Sequence, residues 1–338
     1  MWRLARQLTH EKHWQIRLFV DRIDQFARIE PTLDPLKRQQ NCQGVDVHHW
    51  SDPWEDIKPR DLVIAGFSCE LPKTYLQLLT QTPNPIWLQL EYLSAEDWIS
   101  SFHGLASQRN DKLQPVFFFP GFFGNTGGLL READLIARRQ QWQSQSEAAP
   151  WLQSLGVRMP DDCRLVSVFT YPHAPLATLI DQMNQSGERF HLLLPKGQTS
   201  IPIPATTNVT WQTIEFLKQD DYDKLLWSCD LNLVRGEDSW IRAIWAAKPL
   251  IWQIYPQQNA AHHAKLKAWL TLAELPKPLD AVMLEWADGE LQTPMTPLFD
   301  PVQWRQWQAK SLALAQKLAV QTDLASRLDA HCRANRRT

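Results

Sequence analysis

The chain has 338 residues, of which 44% are hydrophobic, and a formal net charge of -2 at pH 7. One ordinary core does not support that length, and the apolar fraction excludes disorder, so two globular domains of mixed type are expected. Both halves, divided near residue 150, stay close to neutral, which excludes a basic face for DNA or RNA.

The N-terminus, Met1-Trp2-Arg3-Leu4-Ala5-Arg6, lacks the continuous apolar core of a signal peptide, and Leu4, Ala5 and Leu8 recur at helical spacing. Strands are predicted over 14–20, 62–66, 86–90 and 116–119, with helical segments between several of them. The most apolar run, 116–123, is short and interrupted by Pro120 and Gly121, so no membrane span is expected. Strands that alternate with helices, each too apolar for a one-sided sheet, argue for a parallel sheet covered on both faces. The polar stretch 131–147, rich in Arg, Gln and Glu, reads as a connecting helix or a domain boundary. Beyond it the theme repeats, with strands over 164–170, 190–194, 231–234 and 249–253 and helices near 175–185, 221–228 and 238–247. The segment 302–331 carries Trp304, Trp307, Leu312, Leu314, Leu318 and Leu324 at helical spacing, which predicts one or two terminal helices packed across the domains. The expectation is an α/β protein with one Rossmann-like doubly wound domain over 1–150, a second over 151–300, and C-terminal helices over 301–338.

Cys42, Cys69, Cys163, Cys229 and Cys332 are widely spaced with no CxxC pair, which suits reduced thiols of a cytoplasmic protein better than disulfides or a zinc site. Adjacent side chains point apart on a helix or strand, so neither His48-His49 nor His262-His263 is expected to hold a metal. The 17 tryptophans read as core fillers and helix faces more readily than as interface anchors. No serine occupies a GxSxG elbow, so a hydrolase triad has little support.

Doubly wound domains bind ligands at the carboxyl ends of their strands, where helix N-termini present backbone N–H groups. Val234-Arg235-Gly236-Glu237-Asp238-Ser239 runs from a predicted strand end into a predicted helix start. Gly236 lets a phosphate approach the backbone, and Ser239 with the first-turn amides can donate to its oxygens. Glu237 and Asp238 would repel a diphosphate and make more sense as acceptors for sugar or ribose hydroxyls, with Arg235 and the helix dipole balancing the charge. The same spacing describes an acidic cap with Trp240 and Ile241 packing inward, and taken alone it favours that plainer reading. The glycine cluster 121–128 follows a strand and reads equally as a tight connection or a ligand contact. Glu91-Tyr92-Leu93-Ser94-Ala95-Glu96 ends another strand, where its carboxylates could line an acceptor cleft or Ser94 could cap a helix.

Read together, Trp2-Arg3-Leu4-Ala5-Arg6-Gln7-Leu8, Glu91-Tyr92-Leu93-Ser94-Ala95-Glu96, Thr126-Gly127-Gly128-Leu129, Arg235-Gly236-Glu237-Asp238-Ser239 and Ile254-Tyr255-Pro256-Gln257 resemble the protein-arginine rhamnosyltransferases that modify translation elongation factor P. The resemblance runs from residue 2 into the C-terminal helices. It implies a GT-B architecture with two domains facing a cleft, a dTDP-rhamnose donor, an arginine of elongation factor P as acceptor, and inversion at the anomeric carbon without a metal or other cofactor. By this resemblance Phe169 and Tyr171 lie at the donor site, while Phe216, Gln219 and Tyr222 surround the thymine, whose ring stacks on aromatic faces and whose edge an amide can read. Tyr222 replaces a phenylalanine usual in the family. Arg235, Gly236, Glu237, Asp238, Ser239 and Tyr255 would hold the ribose and diphosphate, with Glu237 the carboxylate on which activity depends.

Family members begin with a strand and an Asp-Asn-Phe/Tyr-Gly-Asp-Ile-Gly loop ahead of this first helix, and the second Asp of that loop is the implied general base. The sequence here starts inside the helix, so the first strand and the base are expected to have no counterpart, and Asp21 and Asp24 stand at the wrong point of the fold to replace it. The expected activity is rhamnosyl transfer by a cytoplasmic monomer. The alternatives are a module that binds donor or partner without turnover, and a glycosyltransferase with another sugar or acceptor.

Overall fold

The computed structural model describes residues 1–50, 57–107, 113–145, 147–197, 207–257 and 260–335. The chain divides into two compact units, Met1–Ala133 with Gln321–Thr338, and Asp134–Val320. The first boundary falls within the polar stretch 131–147 and not near residue 150. The reason lies in the connecting helix, which is tied into the second unit: Arg139 donates to the Trp245 carbonyl at 2.8 Å and Trp142 Nε1 to Ser228 Oγ at 3.0 Å. The segment 301–338, expected as one C-terminal piece, is likewise shared between the units, which part at Val320.

In the first unit the chain runs α1 (Trp2–Lys12), β1 (Arg17–Val20), α2 (Ile23–Ile29), β2 (Gln39–Cys42), β3 (Val45–His49), β4 (Leu62–Gly66), α3 (Lys73–Gln81), β5 (Ile86–Leu90), α4 (Ile99–Phe102) and β6 (Val116–Phe118). The second unit follows with α5 (Leu135–Ser144), α6 (Ala148–Ser154), β7 (Arg164–Val168), α7 (Leu176–Gln185), β8 (Phe190–Pro195) and β9 (Val209–Ile214). It continues through α8 (Gln219–Ser228), β10 (Leu231–Arg235), α9 (Asp238–Ala246), β11 (Leu250–Gln253), α10 (Ala261–Ala273), α11 (Leu279–Asp288), α12 (Thr296–Phe299) and α13 (Pro301–Ala319). The chain then returns to the first unit as α14 (Leu324–Asn335).

Among the described residues the first unit holds two three-stranded sheets, ordered β1-β3-β2 and β4-β5-β6. The second is parallel throughout, but β2 and β3 form an antiparallel hairpin that breaks the expected all-parallel pattern. Its turn uses Gln43 at φ 50 and Gly44 at φ 80, the paired left-handed conformation that matches strand twist. Leu324, Ala325 and Leu328 of α14 pack with Leu4 and Leu8 of α1 and with Leu88, Leu90 and Phe118 of the sheet. A cavity of about 1140 Å³ is lined by both edge strands, β1 and β4, with Leu4 and Leu8 on its wall.

Among the described residues the second unit is built on a five-stranded parallel sheet ordered β11-β10-β7-β8-β9. The chain enters at β7 in the middle, moves outward through β8 and β9, then crosses back to place β10 on the other side of β7. The order therefore reverses between β7 and β10, and the crevice at the carboxyl ends of those two strands is where such sheets bind ligands. Every residue of β11 is buried, as are four of the five in β7 and in β10, which is why these strands read as continuous apolar runs. Two buried polar exceptions are paired: Ser167 Oγ donates to Asn232 Oδ1 at 2.6 Å, and Asn232 Nδ2 donates to the Leu226 carbonyl at 3.1 Å. Among the described residues no helix is long and apolar enough to cross a membrane.

Candidate functional site

Phe169 and Tyr171 follow β7, Phe216 follows β9, Gln219 and Tyr222 sit in α8, Arg235 closes β10, and Tyr255 follows β11. All of them flank the carboxyl edge of the second sheet. Phe169 is edge-on to Phe216 at 6.4 Å and to Tyr222 at 5.7 Å, giving an aromatic corner beside the switch point. The Arg235 guanidinium carbon lies 4.4 Å from the Phe169 ring centroid and 4.8 Å from that of Tyr171. Tyr171 in turn meets Tyr255 edge-on at 5.7 Å and stacks parallel to His173 at 5.9 Å. Burial pushes the Tyr171 phenol up, with Arg235 working in the opposite direction, so the side chain stays a neutral donor near pH 7. Its backbone is pinned as well, since Tyr171 N–H donates to Oε1 of the fully buried Gln253 at 2.6 Å.

Gly236 follows at φ +64, a conformation that L side chains rarely adopt; a Cβ there would lie 3.6 Å from the Tyr171 hydroxyl, so conformation and not space calls for glycine. The Gly236 carbonyl accepts from Trp252 Nε1 at 2.7 Å. Trp252 lies face to face with Trp240, with centroids 3.7 Å apart and planes 5° apart, and Trp269 of α10 meets both edge-on. These indoles are buried, so the turn rests on a rigid aromatic base.

The turn departs from expectation in two respects. Glu237 stands at the N-cap of α9 yet makes no side-chain cap hydrogen bond, so the plain-cap reading fails for it; its Oε2 faces Lys265 Nζ of α10 at 4.0 Å. Ser239 is buried and its hydroxyl donates to the Arg235 carbonyl four residues back, which bolsters the turn and withdraws that proton from any phosphate. Asp238 is exposed in the first turn of α9, and Gln219 opens α8. Lys265 escaped the sequence reading because it lies 28 positions past Glu237, in a helix that shares no motif with the turn. A buried ion pair joins the helices behind the site: Arg242 of α9 makes two bonds to Asp223 of α8, at 2.9 and 2.6 Å.

Two other candidates have structural explanations. Both ends of the glycine cluster are enclosed, since a Cβ at Gly121 would meet Ile99 Cδ1 at 2.6 Å and one at Gly127 would meet Phe118 Cε1 at 2.6 Å, while Gly124 between them is exposed. Arg327 of α14 binds the carbonyls of Phe123, Gly124 and Thr126, and the next helix begins only at Leu135, so this is a tight connection. Ser94 accepts from Glu96 N–H at 3.1 Å and donates to the Glu96 carboxylate at 2.9 Å, closing a local turn. Beside it, burial raises the Glu91 carboxyl, while Tyr92 is exposed and packs on Phe67 at 5.0 Å.

Among the described residues, the His, Cys, Asp and Glu ligand atoms that converge are those of His262, His263 and Asp288. Contrary to expectation the adjacent rings do not diverge; their centroids are 4.4 Å apart because one carboxylate from α11 reaches both, at 4.0 and 2.8 Å from the two Nε2 atoms. His262 Nδ1 accepts the Gln257 N–H at 3.1 Å, which leaves the proton of the neutral ring on Nε2 and not a lone pair for a metal. Burial, with His263 next to it, lowers the His262 pKa and keeps the ring neutral.

Two Rossmann-like units, one carrying an aromatic and arginine corner at its switch point, define a glycosyltransferase of the GT-B class. A solved structure described as "Structural basis for EarP-mediated arginine glycosylation of translation elongation factor EF-P" matches with a TM-score of 0.63 at 27% identity, over 98% of this chain and 93% of that one. The chain belongs to the family described as Elongation-Factor P (EF-P) rhamnosyltransferase EarP, whose profile matches residues 1–333. It is 41% identical to the protein-arginine rhamnosyltransferase of Pseudomonas aeruginosa, over 97% of this chain and 93% of that one. To the enzyme of the same name from Pseudomonas putida it is 39% identical, over 97% and 92%.

Proposed function

We propose that this glycosyltransferase moves rhamnose from dTDP-rhamnose to one arginine of translation elongation factor P, with inversion and without a metal. The observation that carries the donor side is the Arg235 guanidinium held over Phe169 and Tyr171 beside the Gly236 turn. The aromatic corner of Phe169, Phe216 and Tyr222 suits a thymine, and Gln219 suits its polar edge. The positive end of the α9 helix dipole, beside Arg235, suits a diphosphate.

In the reaction the acceptor nitrogen forms a C–N bond to the anomeric carbon as the bond from that carbon to the diphosphate oxygen breaks. The electron pair leaves with dTDP, and the acceptor arginine gives up one proton to a base outside the donor site. Arg235 and the α9 N-terminus stabilise the charge gathering on the leaving diphosphate. Glu237 orients the donor by accepting from a sugar or ribose hydroxyl.

The test incubates the purified chain with dTDP-rhamnose and elongation factor P and weighs the acceptor. A gain of one deoxyhexose, lost in Glu237→Gln by about a hundredfold in rate while dTDP still binds, is the expected result. Donor binding without any mass gain in the wild type would replace this reading with that of a binding module.

A further inference from the structure

We infer that Lys265 is a donor-site residue whose ammonium offsets Glu237 and thereby lets an acidic helix start receive a nucleoside diphosphate. This rests on the donor-site reading above. The turn brings two carboxylates, Glu237 and Asp238, to the N-terminus of α9, where they complement the helix dipole but repel a diphosphate. Arg235, held over the Phe169 and Tyr171 rings, brings a single positive charge against these two carboxylates and the diphosphate. A second cation is needed, and Lys265 Nζ stands 4.0 Å from Glu237 Oε2, with side chains only 16% and 30% exposed.

The position is built into α10. Residues 262, 265 and 269 lie on one face of a helix, and each engages the site. His262 accepts the Gln257 N–H next to the Tyr255 loop, Lys265 meets Glu237, and Trp269 packs edge-on against Trp240 and Trp252, the latter holding the Gly236 carbonyl. A lysine on a flexible stem is thus delivered to the diphosphate turn by an element braced on the same aromatic base. In the unliganded protein the pair keeps Glu237 aimed; with donor bound, Lys265 is the cation that lowers the repulsion between Glu237 and the phosphates.

Calorimetry with thymidine and dTDP as probes tests this on the full chain. Lys265→Met is expected to weaken dTDP about tenfold while thymidine, which has no phosphate, changes by less than about twofold; Lys265→Arg should restore most of the dTDP affinity. In a Glu237→Gln background the cost of Lys265→Met should fall to roughly threefold, since the charge it offsets is gone. A dTDP affinity within about twofold of wild type in Lys265→Met, or equal losses in the Met and Arg variants, would overturn the assignment. Should Lys265→Met not fold, Lys265→Gln carries the same comparison. Wild-type protein that fails to bind dTDP would sink the donor-site reading itself, a separate outcome.

Discussion

Arg235 is gripped by its faces, and this sets its replacement apart from an ordinary charge deletion. A planar, delocalised cation stacks on Phe169 and Tyr171, whereas an ammonium offers a compact point charge. Arg235→Lys should therefore weaken dTDP by roughly tenfold, about 1–2 kcal/mol, despite the conserved charge. A titration of the two proteins in parallel checks it, and equal affinities would show that only the charge matters. Gly236 raises a different question at the same scale. Its left-handed φ is the constraint and the space above it is open, so Gly236→Ala should distort the turn without blocking it.

At the scale of elements, the Arg242–Asp223 pair fixes α8, which carries Gln219 and Tyr222, against α9, which begins at the diphosphate turn. Its side chains are 2% and 1% exposed, so removing one partner strands a buried charge. Asp223→Asn should cost about 3–5 kcal/mol in urea denaturation, whereas replacing both partners with Leu and Met should recover much of that loss. In the first unit His103 Nδ1 accepts the Phe119 N–H, and burial, then His331 and Arg327, hold its pKa at about 4 against an ordinary 6.5. The unfolded chain binds the extra proton between those values, so stability is complete above pH 6.5 and falls as pH drops toward 4. The urea midpoint of the wild type should fall more between pH 7.5 and 5 than that of His103→Asn, which keeps an acceptor; parallel curves would dismiss the effect.

Much of this scale was legible in the sequence. The bounds of strands 62–66 and 86–90 are legible to the residue, because each is a short, mostly apolar run, although in β4 only Val63 and Ala65 are buried. The hairpin β2–β3 was missed: its strands are short and polar, and Gln-Gly does the work usually advertised by Asn-Gly. β9, at the sheet edge, is buried only at its two ends, Val209 and Ile214, and gives no such run. The candidate site residues lie in local motifs and gather at one edge of the second sheet, whereas Lys265 depends on which helix packs where, and that is written in no local pattern.

At the scale of the molecule, the chain crosses between its two units twice, near residue 133 and again near 320. The last helix therefore belongs to the first core, where buried Leu324 and Leu328 each contribute about 1.5–3 kcal/mol. Deleting 321–338 should unfold the first unit and spare the second. A fragment spanning 134–320 should conversely fold alone and bind dTDP within about threefold of the full chain. Differential scanning calorimetry separates these outcomes, and a fragment without a cooperative transition would refute the division of labour.

The face-to-face indoles of Trp240 and Trp252 have an optical consequence. Two aromatic chromophores 3.7 Å apart share their electronic excitation, and the split bands they produce in circular dichroism depend on the angle between them. Since Trp252 also grips the carbonyl of Gly236, any ligand that moves that peptide pulls on one half of the pair. The protein thus carries its own spectroscopic gauge beneath the diphosphate turn. Adding dTDP should shift the exciton signal in step with occupancy, and Trp240→Phe should silence it while leaving the rest of the spectrum in place.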